Sequence, residues 1–201
     1  LVRLEKLYLS YNDIRVIENE LFNYLTSLKE LYIDKNNIEF IGNKAFENLT
    51  KIERIEIQFN KLNEFEPNTF RTLINLNYIE INNNQISDFK KDFFNNNMRK
   101  LVTLKLDFND LKVIKNETFS NLIKLRTLTL RNNKISEFEI DSFKGLTDLI
   151  NLYFSNNLLS NLKQGLFRDL GQLMLLYLEY NNLEKIEKET FIGLRNVIRL
   201  K

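Results

Sequence analysis

The sequence predicts an α/β repeat solenoid, with one short strand per unit and an irregular or short helical return between strands. Three observations predict it. An apolar pattern restarts every 24 residues, with one interval of 25, at Leu4, Leu28, Ile52, Leu76, Leu101, Leu125, Leu149, Leu173 and Val197. An asparagine follows in fixed phase at Asn12, Asn36, Asn60, Asn84, Asn109, Asn133, Asn157 and Asn181. A phenylalanine keeps the same step at Phe22, Phe46, Phe70, Phe94, Phe119, Phe143, Phe167 and Phe191. A generic apolar periodicity would not hold two further residue types in phase over a whole chain. The repeat therefore overrides any domain count taken from length and makes residues 1–201 one quasi-one-dimensional array.

Within one unit the strand comes first. In the stretch from Leu125 to Ile135, Leu128, Thr129 and Leu130 alternate apolar, polar, apolar, the period of a strand with its leucines inward and Thr129 outward. In the first unit Leu7, Leu9 and Ile14 take the inward positions. No single unit can bury such residues; stacking the units does. Asparagine follows where the strand must turn. Its amide both donates and accepts, so it can satisfy backbone groups left open by the turn, and a column of amides can form a ladder between coils. The phenylalanines read as core rather than as a cofactor box. Gly42, Gly145, Gly165, Gly171, Gly193 and the single proline, Pro67, all fall in return segments and interrupt no strand. The 25-residue unit carries its extra residue near Phe93-Phe94-Asn-Asn-Asn97-Met98, where Met98 replaces the leucine of other units and a surface loop absorbs the insertion.

The pattern LxxLxLxxNxLxxLxxxxFxxLxx resembles the leucine-rich repeat family over all 201 residues, in its typical 24-residue subtype. That subtype occurs in Toll-like receptor ectodomains, Slit-like guidance proteins, small matrix proteoglycans and insect immune proteins. The resemblance implies a horseshoe with the parallel sheet on its concave face, the phenylalanine spine on the convex side, and a protein ligand on the concave face. It implies an extracellular or cell-surface location. It also implies Cys-rich caps beyond the repeats, so the lack of cysteine within them does not decide the redox compartment. The chain opens and closes inside the pattern, so the array is expected to continue past both ends.

Composition narrows the function classes. The net charge is +2, with Lys and Arg interspersed among Asp and Glu, which speaks against nucleic-acid partners and a membrane surface. No apolar stretch approaches the roughly 20 residues of a membrane span. Without His or Cys, nucleophile–histidine systems and the common zinc sites are excluded. No glycine-rich phosphate loop is present. Glu53, Glu56 and Glu80 could suggest paired-carboxylate chemistry or an oxygen-ligand metal site, but they alternate with Arg54 and Lys105 and read as a salt-bridged face. The expectation is a non-enzyme with no catalytic residue, metal or cofactor.

The five variable positions of LxxLxLxxN are informative. Seven of the eight tyrosines fall there, all but Tyr24. The aromatic residues at these positions are Tyr8, Tyr11, Tyr32, Phe59, Tyr78, Phe108, Tyr153, Tyr177 and Tyr180. Tyrosine offers a large rigid surface with a polar tip and is favoured in recognition. Ile150, Met174 and Leu175 add apolar residues beside Tyr153, Tyr177 and Tyr180, so these six are expected to form one patch. The middle units are charged, at Arg54, Glu56, Glu80, Lys105, Asp107, Arg126 and Arg131. Eight strands span roughly 40 Å, enough for about 800 Å² per partner. Two sequons, Asn48-Leu-Thr50 and Asn116-Glu-Thr118, are candidate glycosylation sites if the chain is secreted. The reading is a protein-binding module of a secreted protein or receptor ectodomain, of innate-immune or adhesion and guidance type. The alternative is a structural or intracellular scaffolding array. The sequence leaves homo- or heterodimerisation open.

Overall fold

The computed structural model describes residues 1–66, 68–90 and 93–201; Pro67 lies outside the described residues. In chain order the elements are β1 (Lys6–Tyr8), β2 (Val16–Ile17), β3 (Glu30–Tyr32), β4 (Phe40–Ile41), β5 (Arg54–Glu56), β6 (Tyr78–Glu80), a 3₁₀ turn (Asn96–Met98), β7 (Thr103–Lys105), β8 (Val113–Ile114), β9 (Thr127–Thr129), β10 (Glu137–Phe138), β11 (Asn151–Tyr153), β12 (Leu175–Tyr177) and β13 (Arg199–Leu200). One strand per unit gives a nine-stranded sheet in the order β1-β3-β5-β6-β7-β9-β11-β12-β13. Every pairing is parallel and joins equivalent residues of adjacent units, as in Leu7↔Leu31 and Tyr153↔Tyr177. A slip of one residue would turn every leucine outward, so the apolar pattern fixes this register. β2 pairs with β4 and β8 with β10 in two small parallel sheets on the return side. The only helical element among the described residues is the 3₁₀ turn.

The central residue of each three-residue strand from β3 to β12 in the large sheet points into the solenoid: Leu31, Ile55, Ile79, Leu104, Leu128, Leu152 and Leu176 are fully buried, while Leu7 at the edge in β1 is partly buried. Thr129, expected outward, is also buried. On the far side the phenylalanines stack from coil to coil, Phe22 on Phe46 at 6.0 Å and Phe143 on Phe167 at 6.2 Å. Between Phe70 and Phe94 the spine runs through Phe93, at 5.4 Å and 4.9 Å. The 25-residue unit meets its extra residue with the 3₁₀ turn. Asn95 caps that turn by accepting from the Asn97 backbone N–H, and Met98 is fully buried.

The asparagine column does not form an amide-to-amide ladder. From Asn36 onwards each amide reaches back to the backbone of the preceding coil. Asn133 Nδ2 donates to the Leu106 carbonyl at 2.9 Å and Oδ1 accepts from the Leu111 N–H at 3.1 Å. Asn60 repeats the pattern with Ile33 and Ile38, and Asn157 with Leu130 and Ile135. The amide thus serves one open carbonyl and one open N–H that the irregular turn cannot pair. Gly193, at φ +99°, passes so close to the preceding coil that an added Cβ would lie 2.5 Å from the Phe167 carbonyl oxygen, which requires glycine.

Candidate functional site

The strands of the large sheet are three residues long, β13 two, so the five variable positions are not equivalent. The first and third residues of a strand face the concave side. The position before the strand, and the two after the second inward residue, lie outside it. Tyr8, Tyr32, Tyr78, Tyr153, Tyr177 and Leu175 stand in strands; Ile150 and Met174 precede β11 and β12; Tyr11, Phe59, Phe108 and Tyr180 lie beyond the strands.

Four of the five strand tyrosines form two pairs at opposite ends of the face. Tyr8 stacks on Tyr32 with centroids 4.7 Å apart, and Tyr153 meets Tyr177 edge-to-face at 5.1 Å. Arg131 lies over Tyr153 at 4.0 Å and within 6.0 Å of Tyr177, while Lys201 approaches Tyr177 at 5.0 Å. Arg199 donates to the Tyr177 hydroxyl at 3.3 Å. Cation–π attraction holds these rings in place. The sequence counts Arg131 with the charged middle; stacking of coils brings it to the tyrosine pair. Close to this cluster, Ser155 Oγ and Glu179 Oε2 are buried without a hydrogen-bond partner among the described residues, and Thr129 faces the Asp107 carboxylate.

Ile150 and Met174 continue into Ile198, which occupies the same position one coil on; with Arg126 and Asp148 they line a shallow groove of about 590 Å³. Ile198 was identifiable from its register and belongs with the patch. No aromatic contact joins Tyr180 to Tyr153 or Tyr177; it projects from the turn, 76% exposed.

The middle of the face is a connected polar network. Arg54 pairs with Glu56 at 2.5 Å and lies over the Tyr78 ring at 3.5 Å. The Tyr78 hydroxyl donates to Glu80 at 2.5 Å, and Lys105 pairs with Glu80 at 3.0 Å. Burial first, then the Glu80 hydrogen bond, raises the Tyr78 pKa. Tyr32 is pushed up to about 12 by burial and by its hydrogen bond to Glu30. Burial also raises the Asp107 carboxyl, against the lowering effect of the Arg131 N–H it accepts at 2.7 Å. Among the described residues no group of three or more His, Cys, Asp or Glu is placed to hold a metal.

The residue before each column asparagine is held in the left-handed region, with φ between +51° and +58° at Tyr11, Lys35, Phe59, Asn83, Phe108, Asn132, Asn156 and Tyr180. Asparagine tolerates this conformation. For the others it costs roughly 1–3 kcal/mol each. The geometry is imposed by coil-to-coil hydrogen bonds, such as Phe59 N–H to the Asn82 carbonyl at 3.0 Å and Phe108 N–H to the Arg131 carbonyl at 2.9 Å.

Both sequon asparagines are exposed on the return side. Asn48 Nδ2 donates to Asn23 at 3.0 Å; Asn116 accepts from the Asp141 N–H at 2.9 Å.

These features define a leucine-rich-repeat solenoid presenting a tyrosine-rich concave sheet. The leucine rich repeat family model matches residues 2–62, 99–159 and 147–201, and the chain belongs to that family. No curated protein sequence matches it significantly. Among solved structures, the TLR13–ssRNA13 complex is similar, with a TM-score of 0.89 and 27% identity over 94% of this chain and 26% of that one. The Toll–Spatzle complex of Drosophila gives 0.83 and 22% identity, over 89% and 25%. The leucine-rich repeat domain of APL1B gives 0.79 and 20% identity, over 98% and 56%. The chain spans about a quarter of the TLR13 and Toll chains it matches. Among the described residues no helix is long and apolar enough to cross a membrane.

Proposed function

We propose that the chain is a non-catalytic protein-binding module of a secreted or cell-surface receptor ectodomain, of innate-immune or adhesion type. Its concave face takes a protein ligand. The observation that carries this reading is the Tyr153–Tyr177–Arg131 cluster on the sheet face. Rigid aromatic anchors with a stacked arginine have the composition of a binding hot spot. Likeness to Toll, solved in complex with Spatzle, supports a protein ligand. Likeness to TLR13, solved with ssRNA, favours single-stranded RNA as the second reading, which Glu56 and Glu80 at the centre of the face oppose.

The test is a binding screen against a panel of recombinant secreted and cell-surface proteins and a single-stranded RNA. A protein hit should lose about 2 kcal/mol or more of affinity in Tyr177→Ala, with circular dichroism unchanged. Glu56→Ala should mainly change the salt dependence of association. Full binding by the Tyr153→Ala, Tyr177→Ala, Tyr180→Ala triple variant would refute the concave site. We further propose that Asn48 and Asn116 are glycosylated on secretion; peptide mass spectrometry of secreted material without glycan on either residue would rule that out.

A further inference from the structure

The turn positions before the column asparagines form a row that runs across the coils beside the sheet. Over six successive coils the row reads Tyr11, Lys35, Phe59, Asn83, Phe108, Asn132. An aromatic ring alternates with a side chain that donates hydrogen bonds. The rings are costly where they stand. Tyr11, Phe59 and Phe108 are 73%, 48% and 52% exposed, and each is held at positive φ. The same fold places asparagine at this position in three other coils, which removes both penalties. An arrangement unfavourable in backbone and in solvation is a pointer to function.

We propose that this ridge is a docking track for a proline-rich polypeptide segment in the polyproline II conformation. The spacing matches. Coils stack about 4.8 Å apart, so rings two coils apart are separated by roughly 10 Å. A polyproline II helix rises about 3.1 Å per residue with three residues per turn, or about 9 Å between residues on one side. Successive prolines at every third position would therefore meet Tyr11, Phe59 and Phe108 in turn. Such a helix makes no internal hydrogen bonds and leaves its carbonyls open. The intervening coils supply donors for them. Lys35 lies between two rings, 4.2 Å from the Tyr11 centroid and 5.7 Å from that of Phe59; its ammonium donates one hydrogen bond to the Tyr11 hydroxyl, which leaves two N–H groups for peptide carbonyls. The side-chain amides of Asn83 and Asn132 make no hydrogen bond among the described residues, so their N–H groups are available.

Charge separates this occupant from a stacked nucleic acid, the other polymer that reads aromatic rows. Lys35 is the one cation in the row, and the neighbouring row, one residue earlier in each coil, carries Asp34 and Asp107 against the single cation Arg131. A phosphate backbone needs a basic track. A proline-rich peptide with flanking lysine or arginine does not. This inference goes beyond the concave-face reading: it concerns a second surface, distinct from the Tyr153–Tyr177 pair, and adds a second partner class.

The experiment is fluorescence anisotropy with a labelled synthetic peptide of about ten residues, proline at every third position and lysine at each end. A peptide with those prolines replaced by alanine and an oligonucleotide of single-stranded RNA are run beside it. Wild type should bind the proline peptide saturably and at least tenfold more tightly than the other two. Phe59→Asn/Phe108→Asn should weaken binding at least tenfold without lowering the melting temperature, since asparagine is the residue the fold uses at the same φ in other coils. Tyr177→Ala should bind the peptide as wild type does, which separates this site from the concave one. On wild-type protein, amide signals of Lys35, Asn83 and Asn132 should shift on peptide addition while that of Tyr153 stays. No saturable binding, equal binding of the alanine peptide or the RNA, or shifts confined to the Tyr153 region would each overturn the proposal.

Discussion

Asn133→Ala tests the account of how the coils are held together. The amide makes four hydrogen bonds, donating to the carbonyls of Leu106, Leu130 and Arg131 and accepting from the Leu111 N–H. The three carbonyls keep a second partner when Asn133 is truncated: Asn109 Nδ2 for Leu106, Asn157 Nδ2 for Leu130 and the Phe108 N–H for Arg131. The Leu111 N–H, in a buried residue, is left with none. One orphaned buried donor costs about 1–3 kcal/mol, so the variant should lose about 2 kcal/mol rather than the sum of four bonds. Asn12 is the internal control. It is exposed and bonds only within its own turn, to Leu9 and Ser10, and Asn12→Ala should cost about 0.5 kcal/mol. Denaturant melts give the two costs. Amide hydrogen exchange localises the loss: at Leu111 it should accelerate roughly thirtyfold, the equivalent of about 2 kcal/mol. Equal losses at Asn12 and Asn133, or unchanged exchange at Leu111, would refute the argument.

Other consequences follow from burial and charge. Leu130→Ala empties a fully buried site between coils and should cost about 2–5 kcal/mol in a denaturant melt. Tyr32 holds its proton to about 12 against an ordinary 10.0; its contribution to stability is present below pH 10 and lost as pH rises towards 12. Glu30→Gln should bring the phenol partway back in an ultraviolet titration, because burial, the larger cause, stays. For Asp107 the raised carboxyl pKa means the native state holds the proton more tightly than the unfolded chain, so ionisation as pH rises above the carboxylate range lowers stability. Asp107→Asn keeps an acceptor for the Arg131 N–H and should raise the melting temperature at neutral pH. That gain should disappear in acid, where both side chains are neutral.

The periodicity of leucine, asparagine and phenylalanine determined the solenoid, the parallel register and the core, because each coil can bury its apolar residues only against identical neighbours. The structural roles of Asn133 and Phe143 were legible for the same reason: a residue repeated in phase in every coil serves the stack. The variable positions were not legible to that depth. The LxxLxLxxN pattern treats Tyr153 and Tyr180 alike, yet one stands in a strand and the other on a turn at φ +58°. Backbone hydrogen bonds to the next coil impose that left-handed turn, and they exist only in the stacked array. Thr129 looks outward by alternation but is buried in the structure. The pairing of Arg131 with Tyr153 and the extension of the apolar strip to Ile198 also join residues one unit apart. The sequence determined which residues repeat; the lateral stacking of coils decided which of the non-repeating ones meet, because their contacts run across the chain rather than along it.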